Sequence, residues 1–231
     1  MTTLRGIVNS ARTLTYYTRL QEVTANNLAN ANTDAFKADR MTAHRIVDVD
    51  SPVSVERTDL SQGALRVTGR PLDVGLEGDG YLVVETPRGE RFIRGGALKL
   101  SGDGVLTDGD GNRVLGRNGP LALLGGEIKI RPDGTVLSDG HEVDQLRLEV
   151  PAEGAKLLKE SAGRFVVSGD TDAVPDGGTR VRQGQLEDAN FNSLTAMVSM
   201  VEIQRAYAAN ITALRTMDGV LGSITNDIGR V

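Results

Sequence analysis

The stretch 23-VTANNLANANTDAFKAD-39 holds four asparagines within seven residues, Asn26, Asn27, Asn30 and Asn32, separated by alanine and one leucine. Asparagine forms helices poorly and turns well, because its amide competes with the backbone for hydrogen bonds. Yet a helical pattern runs directly into it. Leu4, Ile7, Ala11, Leu14, Thr18, Gln21, Ala25 and Leu28 follow steps of three and four, which place them on one helix face. The asparagines therefore stand where a helix closes and the chain must leave it. Asn32 is expected to cap the exit, while Asn26, Asn27 and Asn30 are expected to bridge to polar or backbone groups of neighbouring molecules. Helix termination alone accounts for Asn30 and Asn32 but hardly for Asn26 and Asn27.

The far end of the chain carries the same signature. Met200, Ile203, Tyr207, Ile211, Leu214, Met217, Leu221, Ile224 and Ile228 repeat the three-and-four spacing. A helix from about residue 190 to 228 would run nearly 60 Å at 1.5 Å per residue. Leu194, Met197, Val198 and Val201 widen its apolar face near the start, and Gly219 and Gly222 weaken it near the end.

Between these ends the breakers are concentrated: 24 of the 28 glycines lie from Gly63 to Gly184, and all seven prolines from Pro52 to Pro175. Alternating runs such as YLVVE, RFIR, ALKL, EIKI, QLRLEV and RFVVS read as short strands. In this middle stretch seven Asp-Gly dipeptides, at residues 79, 103, 108, 110, 133, 139 and 176, supply tight hairpin turns. The expected fold class is α+β. Long N- and C-terminal helices are expected to form a coiled-coil-like domain around a central all-β, sandwich- or barrel-like domain. The expected divisions are a first helix over 1–32, an extended connection over 33–67, a β-rich domain over 68–184 and a closing helix over 185–231. Two heptad-like stripes separated by a whole domain are expected to pack on each other or on other molecules, the alternative being a helical layer on the β domain's own core.

Composition excludes several functions. Net charge is −5, with 31 acids and 26 bases interspersed, so no basic stripe exists to neutralise nucleic-acid phosphates. Aromatic content is 3%, with no tryptophan, which is thin for a substrate pocket. Cysteine is absent, removing disulfides and thiolate metal sites. No segment approaches a membrane span, and the N-terminus lacks the apolar run of a secretory signal, so export by a route without a cleaved signal is expected.

Local motifs for chemistry fail on inspection. In 103-DGVLTDGDGNRV-114 the residues Asp108, Asp110 and Asn112 alternate like calcium ligands, but Arg113 stands where an EF-hand loop needs glycine and Gly119 where it needs a carboxylate. The stretch reads as a hairpin turn. The Gly-x-Gly of 75-GLEGDGYLV-83 is incomplete as a phosphate loop. His44 and His141 are isolated, the acidic pairs Asp48/Asp50 and Glu187/Asp188 lie in polar loops, and no serine elbow occurs. No cofactor or metal is expected, and the chain reads as a non-enzyme.

The residues do carry a resemblance. The segment 25-ANNLANANTDAFK-37 resembles the A-N-N-L-A-N-x-N-T-x-G-[FY]-K motif of flagellar rod and hook proteins. The core Glu202, Gln204, Arg205, Ala206, Tyr207, Ala209 and Asn210 of 185-QLEDANFNSLTAMVSMVEIQRAYAANITALRTMDGVL-221 is similar to that family's closing helix. The stretches 68-TGRPLDVGLEGDGYLVVE-85 and 91-RFIRGGALKLSGDGVLTDGDGNRVLG-116 resemble its central motifs, so the likeness covers nearly the whole chain in one order. The proximal-rod branch is nearer than the distal-rod branch, and the chain is short for a hook-type member. Three departures stand out: Ala35 replaces the family's glycine, so a left-handed backbone there is costly; Ala97 and Leu98 replace a polar residue and an aromatic; Asp188 and Phe191 alter the usual E-x-S-N-V.

The resemblance implies a structural subunit of an axial filament, with the terminal helices in its inner tube and the β domain outside. It implies export through the flagellar type III apparatus, assembly in the periplasm into a torque-bearing rod, and as partners other copies of this chain and other rod proteins. It also implies subunit contacts along the first helix and its exit (Leu4, Ile7, Leu14, Asn26, Asn27, Leu28, Asn30, Asn32, Phe36). The closing helix would add contacts at Met200, Ile203, Gln204, Arg205, Tyr207, Asn210, Ile211, Leu214, Met217, Leu221 and Ile224. Helices without their partners would expose apolar stripes, so they are expected to order only on assembly. The rival of another class is a secreted glycan-binding β module or enzyme. A free-standing trimeric spike is a further rival, giving a closed oligomer in place of a filament.

Overall fold

A computed structural model describes residues 2–44, 53–123, 125–160, 163–175 and 177–228. The chain divides into two compact units. One comprises Met1–Ala31, Ala38–Asp59 and Phe191–Val231; the other comprises Asn32–Lys37 and Leu60–Asn190.

The first unit is helical. Helix α1 spans Thr2–Ala29 and helix α2 spans Ser193–Ile228. Four threonines of α1 return their hydroxyls to the carbonyl four residues back, as Thr24 does to Leu20 at 2.7 Å, which satisfies them without leaving the helix. Asn192 caps α2: its Oδ1 accepts the Thr195 amide at 3.1 Å while its carbonyl accepts that of Ala196, filling one of the orphan donors of the first turn. A two-stranded antiparallel ladder, Asp39–His44 with Val53–Thr58, completes the unit. Among the described residues no helix is long and apolar enough to cross a membrane.

The α+β class fits, but the expected long coiled coil does not. The helices are 28 and 36 residues long, and burial is not sustained along a heptad seam. Ile203 is the one buried side chain among the described residues of α2; Met200, Tyr207, Ile211 and Leu214 are half-buried and Met217 is exposed. In α1 the covered face runs Gly6, Ser10, Thr13, Tyr17, Leu20, Thr24 and Asn27, one residue ahead of the stripe read from hydropathy. Ala11, Thr18 and Ala25 face solvent, with Leu14, Gln21 and Leu28 half-buried on the flank. Small residues account for part of this offset, beside Tyr17 and Leu20 on the same face. A Cβ built at Gly6 would stand 3.8 Å from the Met217 sulfur, so a glycine turn of α1 lies close against the second half of α2, and hydropathy does not score such a contact.

The second unit is antiparallel throughout, because its strands are short and joined by tight turns. Its central strand, Tyr81–Thr86, pairs with Gly89–Ile93, Arg113–Gly116 and Leu148–Pro151. Alternation divides this strand between two cores. Leu82 and Val84 enter the large cluster with Leu76, Leu106, Val114 and Leu146. Tyr81 and Val83 enter a smaller one with Phe92, Leu115 and Phe165, where the Phe165 ring meets Tyr81 edge-on at 5.7 Å. Burial pushes the Tyr81 phenol above its ordinary pKa, with the nearby Arg94 charge pulling the other way. At 138–141 the Asp139-Gly140 pair has φ of 49° and 80° and joins Thr135–Ser138 to His141–Gln145, as a type I′ turn requires.

Candidate subunit interface and joint

The asparagine-rich turn closes α1 with its own amides. Asn30 donates through Nδ2 to the Asn26 carbonyl at 2.9 Å and to Asn26 Oδ1 at 3.2 Å. Asn27 is taken up within its own chain. Its Nδ2 donates to the Asp39 carbonyl at 2.8 Å and its Oδ1 accepts the Asp39 amide at 3.0 Å. The two-bond bridge fastens the first residue of the ladder to α1, and the Asp39 carboxylate in turn accepts Thr58 Oγ1 at 2.7 Å. Asn26 and Asn32 are exposed.

Beyond this turn, residues 32–37 belong to the β unit. Ala35 is buried there with φ of 55°, and its amide donates to the Glu187 carbonyl at 2.6 Å. A left-handed backbone brings Cβ too close to the following carbonyl, at about 1–2 kcal/mol. Ala35→Gly is therefore expected to stabilise the protein by about 1 kcal/mol, a rise of about 2–4 °C in melting temperature. Thermal unfolding followed by circular dichroism checks this, and an unchanged or lowered midpoint refutes it.

Phe36 and Lys37 are buried beside it. Lys159 Nζ lies 3.8 Å above the Phe36 ring and donates to the Lys37 carbonyl at 2.6 Å. Lys37 reaches Glu187 Oε1 and the Ser61 carbonyl, each at 2.6 Å. Glu187 also accepts the Gly63 amide at 2.8 Å and Arg94 Nε at 3.1 Å. Arg94 spends its remaining nitrogens on the Gly80 and Leu76 carbonyls and lies 5.4 Å from the Tyr81 ring centre. The side chains of Lys37, Glu187 and Arg94 are 0%, 0% and 3% exposed. Two cations share one carboxylate, and backbone carbonyls solvate the surplus positive charge. Gly63 is required by close approach: a Cβ there would overlap the Asp188 carbonyl. Of this cluster, sequence reasoning selected the neighbour Phe36 and read Glu187 as part of an acidic pair in a polar loop, whereas it is buried in the strand Gln185–Glu187. The available signal was Lys37 inside an otherwise apolar Ala-Phe-Lys-Ala run.

The second feature is an uncovered face on α2. Leu194, Met197, Val198 and Val201 are 69%, 51%, 54% and 46% exposed at spacing i, i+3, i+4, i+7, one side of the helix. Gln204 and Arg205, one turn on, are exposed, and Asn210 is half-buried. The side chains of Leu4, Ile7, Leu221 and Ile224 lie outside the described residues.

Concavities in the β unit show little convergent chemistry. A groove of about 880 Å³ runs past Val67, Leu72, Leu98, Ile128 and Gln183. Gln183 is engaged on its walls, donating to the Pro71 and Ile128 carbonyls and accepting the Ile130 amide. The 108–112 loop is a turn in which Asp108 accepts the amides of Asp110 and Asn112 and the Asn112 side chain, with Arg164 alongside.

Known proteins resemble the chain along its length. Residues 10–37 match a family described as flagella basal body rod protein, 75–157 the D1 domain of flagellar hook protein FlgE/F/G, and 182–227 the C-terminal part of flagellar basal body rod FlgEFG proteins. The flagellar basal-body rod protein FlgF of Escherichia coli K12 is 35% identical, across 87% of this chain and 89% of its own. FlgF of Rhizobium meliloti is 30% identical, across 89% and 90%. The flagellar basal-body rod protein FlgG of Bacillus subtilis is 27% identical, across 96% and 98%.

Proposed function

The chain belongs to the flagellar basal-body rod protein family, and from that premise we propose that it is a proximal-rod subunit docking on its neighbours through the uncovered face of α2. As a structural component of the basal body, it assembles with other rod proteins. The observation that carries the docking assignment is the exposed quartet Leu194, Met197, Val198 and Val201. A contiguous apolar helix face open to water is a surface that a partner covers. A contact between unlike surfaces, repeated from subunit to subunit, does not close on itself and builds a shaft instead of a ring. That shaft carries torque from motor to hook, with subunits delivered to the periplasm through the type III apparatus. The contacts expected along α1 and α2 remain part of this proposal. The 35% identity to FlgF of Escherichia coli, against 27% to FlgG of Bacillus subtilis, supports the proximal level over the distal one.

The test is to delete the gene in its host, restore it with an epitope-tagged copy, and image purified basal bodies. The tag is expected within the rod below its distal part, with motility restored. Basal bodies complete without the chain, or a tag outside the rod, would overturn the assignment. Binding of the purified protein to peptidoglycan with normal rods in the deletion strain would favour the glycan-binding alternative.

A further inference from the structure

After its entry into the β unit at Asn32, the chain passes between the units at three further places: after Lys37, before Leu60 and after Asn190. They are far apart in sequence, yet all three converge on the carbonyl of Ser61. That oxygen accepts Lys37 Nζ at 2.6 Å from the first crossing and Asn190 Nδ2 at 3.0 Å from the third, while itself belonging to the second. The crossings are also joined directly. The Asn190 amide donates to the Phe36 carbonyl at 3.2 Å, and the Ala35 amide to that of Glu187 at 2.6 Å. Glu187 closes the arrangement from behind, holding Lys37 by its charge and the second crossing by the Gly63 amide.

We propose that this node at Ser61 makes the three crossings a single mechanical piece, so that a twist entering by any one of them is shared by all three. Separate connections would each stretch or swivel independently; here, moving one breaks bonds to the other two. The mechanical meaning rests on the rod reading, since only a torque-bearing subunit needs such sharing. The linkage itself does not rest on that reading. Lys37, Glu187 and Asn190 are positioning residues, acting on the paths of the crossings.

Hydrogen exchange on the full-length protein tests the linkage. The amides of Ala35 and Gly63 donate to the Glu187 carbonyl and carboxylate and that of Asn190 to the Phe36 carbonyl, and all three are expected to exchange with one common opening free energy. In Asn190→Ala, which removes the side-chain bonds to the Ser61 carbonyl and hydroxyl, all three positions are expected to exchange at least about fivefold faster, the effect of losing a hydrogen bond. The amides of Val83 and Leu146, in the sheet, report that the unit stays folded. Acceleration at position 190 alone, or at none of the three, overturns the proposal. Glu187→Gln is the second variant and is expected to accelerate the three together by a larger factor; independent responses overturn it equally. A chain that passes this test but is missing from imaged rods would sink the rod reading and leave the linked node standing.

Discussion

Glu187→Ala is expected to destabilise the β unit by about 3–5 kcal/mol, the cost of leaving buried charges without their counter-charge. Lys37 and Arg94 would both lose their carboxylate while remaining in a site from which water is excluded. The Gly63 amide would lose its acceptor as well. Ordinary surface carboxylates are different: the exposed pair Lys129–Glu127 is held in high dielectric, and its loss is worth at most about 1 kcal/mol. Urea unfolding checks the contrast, with Glu127→Ala as the control. The Glu187 variant is expected to melt about 10 °C lower. A loss under about 1 kcal/mol would show that the cluster is hydrated after all.

The second large effect concerns assembly with the fold intact. Val198→Glu together with Met197→Glu is expected to leave thermal stability within about 0.5 kcal/mol of the parent chain, because both side chains already face water. In the cell the same variant is expected to be absent from basal bodies and to leave the strain non-motile. Each apolar side chain covered by a neighbour contributes about 1–3 kcal/mol, and a glutamate forced into that contact costs more. The combined loss exceeds about 3 kcal/mol, more than a hundredfold in affinity. Swimming at the parental rate, with the variant present in the rod, would mean that this face of α2 touches nothing.

Much of the β unit is legible because strands announce themselves by alternation and by turn residues. YLVVE, RFIR, EIKI and RFVVS mark the strands Tyr81–Thr86, Gly89–Ile93, Ile128–Ile130 and Phe165–Ser168. The cost foreseen at Ala35 is also present, as a φ of 55°. The covered face of α1 is harder to read, since Gly6, Ser10, Thr13 and Thr24 make it by closeness and not by hydropathy. The ladder Asp39–His44 with Val53–Thr58 has no clean period to betray it. The charged cluster is invisible for a deeper reason. Lys37, Arg94 and Glu187 each look like surface residues, and only the topology that brings positions 150 apart together buries them. The unbroken length of the helical patterns in turn suggested a coiled coil, whereas burial depends on what covers each turn, and the described part of α2 is covered chiefly at Ile203.

Gly63 has a consequence for how this chain can vary. Any side chain there would collide with the Asp188 carbonyl, and Asp188 is fixed by the hydrogen bond of its amide to the Ala64 carbonyl at the end of the ladder of Leu65–Val67 with Gln185–Glu187. No rotamer relieves a clash that begins at Cβ. In a scan of every single substitution, position 63 is expected to be a blank column, while the adjacent and exposed Ala64 accepts most replacements. The codon is thus closed to drift by the closeness of two backbones alone.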